Sequence, residues 1–402
     1  MSDAISRPTV AAISPPLARG LLTRRTFAKA SLGVGTIAAL SACGAKGTRM
    51  KPQFGPDKSA TDKIVNWSNW PEYIDVDDKT QARPSLDTFT KQTSIKCNYT
   101  EDVNDNDEFY AKVQPFLSKG ADCGRDTFCV TDWMAARMIR FGWVLPFDKD
   151  NMPNWKNLDP TLLNVSWDPG RVSSIPWQSG FTGIAYNPKS TNGMKIETID
   201  QLLKEPSIKG KVTLLTEMRD TVGLTMLSMG IDPADFNDDD FDAAIAKLQS
   251  AVDSGQIAGF TGNDYGKSLA SGDTAACMAW TGDVVQLKAD SPNLGYVLPA
   301  SGHMAWSDNF LIPNLAQHKT NAEKLINYYY TPVAAAMVED YVNYISPVMG
   351  AKEILLKEDP AVAENPLIFP SDEVRAKSHI FRGLSTAEEN AYNTSFQALI
   401  GG

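Results

Sequence analysis

Histidine is scarce in this sequence, and closely paired cysteine is missing. The three histidines, His303, His318 and His379, match no metal-binding spacing. The five cysteines include no C-x-x-C pair, and neither an H-E-x-x-H helix nor a serine nucleophile elbow occurs. No glycine-rich phosphate loop follows a strand-like run. No apolar run reaches the ~20 residues that a spanning helix needs. Positive charge is in deficit, with 38 Lys and Arg against 48 Asp and Glu and a net charge of −10. An acidic chain repels nucleic acid and draws in cations. These absences argue against a zinc hydrolase, a serine esterase, a nucleotide-loop enzyme and a helical membrane protein. No cofactor, no metal and no nucleic acid is expected.

What is present begins with a leader. Thr23-Arg24-Arg25-Thr26-Phe27-Ala28-Lys29 sets paired arginines ahead of a mild apolar run from Ala30 to Ala42. The run ends in Leu40-Ser41-Ala42-Cys43-Gly44, where small residues admit a peptidase and the Cys43 thiol can take a diacylglycerol. Residues 1–42 are therefore read as a twin-arginine lipoprotein signal peptide, and Cys43 as a lipidation site. The mature protein would then sit on the outer face of the cytoplasmic membrane or in the periplasm. A disordered arm with a chance cysteine is the plainer alternative. The leader carries net +4, which taken from the whole chain's −10 leaves −14 for the mature part.

Residues 43–59 read as a tether, small and polar with Pro52 and Pro56. Beyond it the chain is long enough for two domains. Strand-like runs at Lys63–Trp67, Ser94–Tyr99, Thr127–Thr131, Lys211–Leu215, Thr274–Trp280 and Leu294–Leu298 alternate with helical ones. Helices are predicted over 107–119, from 131 or 132 to Gly142, and over 240–254. A capping box at Thr320 and Glu323 and a start at Thr331-Pro332 mark two more. This alternation indicates α/β lobes. For Cys97, Cys123, Cys129 and Cys277, a disulfide from Cys123 to Cys97 or Cys129 and buried free thiols are equally compatible with the sequence.

One pattern stands out: strand ends trailed by aromatics and acids. Trp67 leads to Trp70, Glu72 and Tyr73, and Thr131 to Asp132 and Trp133. Thr216 leads to Glu217 and Asp220, Trp280 to Asp283, and the run near Pro299 to Trp306 and Asp308. Ligands of open α/β sheets bind beyond the carboxyl ends of strands. Acids and indole faces gathered there suit a small organic cation. Trp67, inside the strand pattern, reads as core. Asp132 and Asp220 serve equally well as helix caps. Trp280-Thr281-Gly282-Asp283 and Trp306-Ser307-Asp308 are harder to explain by packing alone.

From about Lys63 to the C-terminus the chain resembles the polyamine-binding (spermidine/putrescine) solute-binding proteins of ABC importers. Asn69-Trp70-Pro71-Glu72-Tyr73 resembles that family's opening aromatic element. Ser174-Ile175-Pro176-Trp177 through Thr182-Gly183-Ile184-Ala185-Tyr186-Asn187 resembles its first interlobe crossing. Trp280-x-Gly-Asp283, Trp306-x-Asp308 and the Tyr344 region match its ligand-lining elements. Trp133 stands where the family has a tyrosine. Glu217-Met218-Arg219-Asp220 matches its acidic clamp only with a one-residue gap, and no counterpart of the spermidine binders' C-terminal glutamine is found.

The resemblance implies a two-lobed type II periplasmic-binding-protein fold with crossing segments and a ligand cleft between the lobes. Lobe one is expected over 60–182 and 305–346, and lobe two over 183–304 and 347–402. The implied ligand residues are Trp70, Tyr73, Trp133, Glu217, Asp220, Trp280, Asp283, Trp306, Asp308 and Tyr344. The implied partners are a polyamine and the permease subunits of an ABC importer, with the protein a monomer on its lipid anchor and not an enzyme. A neutral-sugar binder of the same fold and a secreted glycosidase are the rivals. Charge separates them, because sugars do not need several cleft carboxylates, whereas an uncompensated acidic cluster calls for a cation.

Overall fold

Runs rich in β-branched and aromatic residues form strands here because such side chains pack well on a pleated surface. The computed structural model describes residues 50–77 and 79–401, so the leader and the lipidation site at Cys43 lie outside the described residues. The first strands are β1 (Ile64–Asn69), β2 (Lys96–Glu101), β3 (Thr127–Thr131), and the hairpin pair β4 (Asn164–Val165) and β5 (Asp168–Pro169). The long β6 (Ile175–Tyr186) follows, then β7 (Val212–Leu215), β8 (Ile257–Thr261) and β9 (Ala276–Trp280). Last come β10 (Gly295–Val297), β11 (His303–Leu311) and β12 (Ser378–His379).

Ten strands form one sheet in the order β2-β1-β3-β11-β6-β9-β7-β8, with β10 on β6 and β12 on β11. β1 runs parallel to β2 and β3, and β7 runs parallel to β8 and β9, as crossover helices require. Between these parallel halves lie two antiparallel strands. β11 pairs with β3 on one side and β6 on the other. β6 pairs with β11 from Ile175 to Thr182 and with β9 from Thr182 to Tyr186. One strand thus leaves the first half and finishes in the second. The result is the two-lobed α/β architecture that the resemblance implies.

Helix ends follow local chemistry where no stronger partner competes. The Asp105 side chain accepts from the backbone N–H of Asp107 and Glu108 and opens the helix Asn106–Leu117. Gly142, at φ 72°, closes Asp132–Phe141. The helix Asp238–Asp253 starts two residues before the expected position, on a capping box between Asn237 and Asp240. The capping box expected at Thr320 and Glu323 is not made. The helix Lys319–Tyr329 begins after His318 without a side-chain cap. Thr320 Oγ1 instead donates to Asp57, and the buried Glu323 accepts from Lys319 Nζ and from the Asp148 N–H. Tertiary partners replace the local one. Near the C-terminus the helix Ala351–Glu358 packs on Pro332–Val342, whereas Thr386–Ile400 packs on Asp238–Asp253.

Cys97, Cys123, Cys129 and Cys277 are free thiols. Among the described residues no helix is long and apolar enough to cross a membrane.

Trp67 is core, as its place in the strand pattern implies. It is 1% exposed and meets the rings of Tyr99, Trp177, Phe310 and Tyr329 at centroid distances of 4.8, 5.5, 5.3 and 5.5 Å. Trp177 lies on β6 and Phe310 on β11, so this cluster fastens both crossing strands to the first half of the sheet. Trp67→Ala is expected to cost about 3–5 kcal/mol, the scale for emptying a buried aromatic site. Urea unfolding measures it, and an unmoved midpoint would show that the cluster does not hold the strands.

Candidate ligand cleft

The carboxyl ends of the strands and the two crossing strands surround a cavity of about 1160 Å³. Nine of the ten residues picked out in the sequence line it. Trp70 and Tyr73 arrive from the turn after β1, where Glu72 takes a left-handed φ of 54°. Trp133 comes from the first turn of Asp132–Phe141, and Glu217 and Asp220 from the start of Met218–Ser228. Trp280 ends β9, Trp306 and Asp308 share one face of β11, and Tyr344 follows Pro332–Val342. Asp283 does not line the cavity. It accepts hydrogen bonds from Tyr344 Oη at 2.5 Å, Tyr265 Oη at 2.7 Å and Asn263 Nδ2 at 2.9 Å, and so fixes Tyr344 from behind.

The aromatic rings form a continuous wall. Trp70 meets Trp280 at 6.3 Å, Trp280 meets Trp306 at 6.3 Å, Trp306 meets Tyr344 at 5.4 Å, and Tyr344 meets Tyr73 at 5.3 Å, all edge to face. Two glycines make the wall fit. A Cβ on Gly180, opposite Trp306 in register, would come within 2.6 Å of the indole. A Cβ on Gly282 would come within 2.2 Å of the Tyr344 ring. The glycine in Trp280-Thr281-Gly282-Asp283 is therefore a packing requirement of the tyrosine. A register shift follows Asp308, and such irregularities re-aim side chains beside sites.

Inside this wall sit two carboxylates with neutral donors. Asp308 accepts from Tyr73 Oη at 2.8 Å and Thr131 Oγ1 at 2.7 Å. Asp220 accepts from Trp280 Nε1 at 2.8 Å and bonds to Thr182. Asp308 is 3% exposed and Asp220 5%. Burial, reinforced by Asp132 and Asp220, pushes Asp308 up to about 7, although the bonds from Thr131 and Tyr73 pull the other way. Burial likewise lifts Asp220 to about 6 against the bonds from Trp280 and Thr182 and the charge of Arg219. Asp132 is held by Asn309 Nδ2 at 2.7 Å and is also raised by burial to about 6. Among the described residues neither Asp308 nor Asp220 has a Lys or Arg in an ion pair. Trp70 Nε1 and the hydroxyls of Ser179 and Ser307 are buried at this surface and unpaired within the protein.

The acid three residues before Asp220 has different surroundings. Glu217 accepts from Trp133 Nε1 at 3.1 Å and Asn106 Nδ2 at 3.2 Å. Arg219 lies with its guanidinium carbon 3.8 Å from the Trp133 ring centroid and its Nη1 3.9 Å from Glu217. Burial lifts Glu217 to about 8, with Arg219 opposing and Asp220 adding to the rise. Thr131, Thr182, Gly180 and Arg219 were not picked out in the sequence as site residues. Thr131 reads there as a helix cap, and Arg219 sits unremarked between two acids.

The bacterial extracellular solute-binding protein family matches residues 85–370. Spermidine/putrescine-binding periplasmic protein 1 of Haemophilus influenzae is 29% identical over 342 residues, 85% of this chain and 90% of that protein. Putrescine-binding periplasmic protein PotF of Escherichia coli is 29% identical over 336 residues, 79% of this chain and 86% of that protein. The solved structure of the spermidine/putrescine ABC transporter substrate-binding protein PotD from Streptococcus pneumoniae shares the fold, with a TM-score of 0.68 at 24% identity over 84% of this chain and 98% of that chain. The long family match, over a two-lobed sheet with an aromatic and acidic cleft, places the chain among the bacterial extracellular solute-binding proteins.

Proposed function

We propose that this chain captures a polyamine outside the cytoplasmic membrane and delivers it to the permease of an ABC importer, without turnover. One observation carries the reading: Asp308 and Asp220 are buried in an aromatic wall and bonded only to neutral donors. A buried carboxylate without a cation is costly, and an organic ammonium supplies both the charge and the N–H donors. Indole and phenol faces add cation–π attraction. The names of the relatives, spermidine/putrescine-binding and putrescine-binding periplasmic proteins, support the same ligand class.

In this reading Trp70, Tyr73, Trp280, Trp306 and Tyr344 wall the ligand, and Asp308 and Asp220 bind its ammonium groups. Asp283 positions Tyr344 rather than meeting the ligand itself. The lobes meet near Thr182 and Met304, where β6 and β11 change partners. In this reading Ala351–Glu358, which packs on Pro332–Val342, belongs to lobe one, and Thr386–Ile400, which packs on Asp238–Asp253, to lobe two. Residues 1–42 export the chain by the twin-arginine route, and Cys43 carries the lipid.

Asp308→Asn keeps the shape and removes the charge. It is expected to weaken putrescine or spermidine binding at least about 30-fold by calorimetry, since disrupting a buried charge pair costs about 2–5 kcal/mol and one decade is about 1.4 kcal/mol. Putrescine at about 100 times its dissociation constant should stabilise the wild type by about 2.7 kcal/mol and barely move the variant. A wild-type melting point that rises with maltose and ignores both amines would overturn the polyamine reading. For the anchor, Cys43→Ser is expected to release the protein from membranes. Full retention of that variant after a carbonate wash would contradict lipidation at Cys43.

A further inference from the structure

Residues 50–59, ahead of the first strand, are bonded along the half of the molecule built on β1, β2 and β3. Met50 N–H donates to the Phe141 carbonyl at 2.9 Å, Leu315 N–H to the Gln53 carbonyl at 2.9 Å, and Lys58 N–H to the Gln317 carbonyl at 2.7 Å. Gln53 N–H reaches Asn314 Oδ1 at 3.0 Å, and Thr320 Oγ1 donates to Asp57 at 2.5 Å. Gly142 is required for this strap, because a Cβ there would come within 1.8 Å of the Met50 oxygen. The Gln53 side chain rests on Gly120, just past the helix Asn106–Leu117. Two phenylalanines beside that contact stand out to solvent, Phe54 at 63% exposed and Phe116 at 46%. Exposed Lys51, Lys58 and Lys119 accompany them, whereas Asp57 and Asp122 are engaged by Thr320 and Gln317.

We propose that this face, centred on Phe54 and Phe116, rests on the lipid surface of the membrane. The inference depends on the reading that Cys43 carries the lipid. Cys43 and Met50 are seven residues apart, a reach of at most about 25 Å even when fully extended. The bonded strap therefore keeps the Phe54 side of the protein close to the bilayer. Aromatic rings at an interface bury their apolar area at the headgroup boundary, and lysines beside them meet anionic headgroups. That combination, in a chain otherwise rich in acid, singles out a lipid surface as the occupant. The placement also suits ligand capture. Asn106 and Trp133 line the cleft at the starts of Asn106–Leu117 and Asp132–Phe141, whereas Phe116 and Gly142 sit at the ends of those helices. Ten helical residues span about 15 Å, so the cleft lies a helix length behind the proposed membrane face and stays clear of the bilayer.

Photocrosslinking of the full, lipidated chain in vesicles of phosphatidylethanolamine and phosphatidylglycerol tests this. A photoreactive benzoylphenylalanine replaces Phe54, Phe116 or, as a control, Val333, which is also 63% exposed and lies on the helix Pro332–Val342. Lipid adducts at positions 54 and 116 are expected at least about fivefold above those at 333. Equal yields at the three positions, or an excess at 333, would overturn the assignment. Crosslinks from 54 and 116 to a second copy of the chain instead of to lipid would overturn it in favour of a self-contact. Mass spectrometry of the purified chain separates the two ways of failing. A chain with no lipid on Cys43 removes the anchor reading and this inference with it. A lipidated chain without adducts at 54 and 116 removes this inference alone.

Discussion

The antiparallel pairing of β6 with β11 is the constraint on which the rest depends. β6 starts in the first half of the sheet and finishes in the second, and β11, antiparallel to it, finishes on β3 in the first. Their outer ends are fixed to a core by Trp177 and Phe310 around Trp67. Their shared middle carries Gly180, Trp306 and Asp308, and therefore the floor of the cleft. Relative motion of the two halves passes through this ribbon, so the cleft residues on it lie at the pivot. The halves also touch away from the ribbon, where Thr216 Oγ1 donates to Asp105 at 2.7 Å and Trp133 Nε1 to Glu217 at 3.1 Å. These short polar contacts span the cleft and can form or break as the halves move, whereas the aromatic cluster stays fixed.

The electrostatics follow from the same placement. Carboxylates at the pivot are surrounded by rings and backbone instead of water, so their charged forms are disfavoured. Tyr73, Thr131, Trp280 and Thr182 offset part of that penalty without cancelling the charge. The cleft therefore holds protons near neutrality that a free aspartate would have lost, with Asp308 raised to about 7. A cationic ligand reverses the balance by favouring the ionised form. Selectivity for charge over shape comes from this exchange, and the glycines at 180 and 282 set the shape.

Much of this was legible in the sequence because the signals are local. Strand composition located β1, β3, β7 and β9 within a few residues, and Trp306-Ser307-Asp308 and Trp280-Thr281-Gly282-Asp283 marked residues that period-2 alternation and helix starts place together. What the sequence conceals shares one cause, which is partners distant in sequence. Glu323 has the spacing of a capping box but is claimed by Lys319 and Asp148. Asp283 looks like a ligand acid, yet Tyr344, Tyr265 and Asn263 use its oxygens. Arg219 goes unremarked between two acids in the sequence, and only the fold brings the C-terminal helix's Glu389 to it. The full reach of β6 and β11 is hidden for a similar reason. Strands buried on both faces lose the alternation that betrays a half-exposed one.

Asp308 has no cation beside it until the ligand brings one. Titration calorimetry with putrescine at pH 7, in two buffers of different ionisation enthalpy, tests it directly by counting protons exchanged on binding. With Asp308 raised to about 7 in the free protein, it is protonated in a sizeable share of molecules at that pH. An ammonium bound beside it lowers that value, so net proton release is expected, shrinking at pH 9 as the free site becomes fully ionised. Tight putrescine binding with no proton exchange, or with proton uptake, would show that the carboxylates were already compensated and would contradict the account.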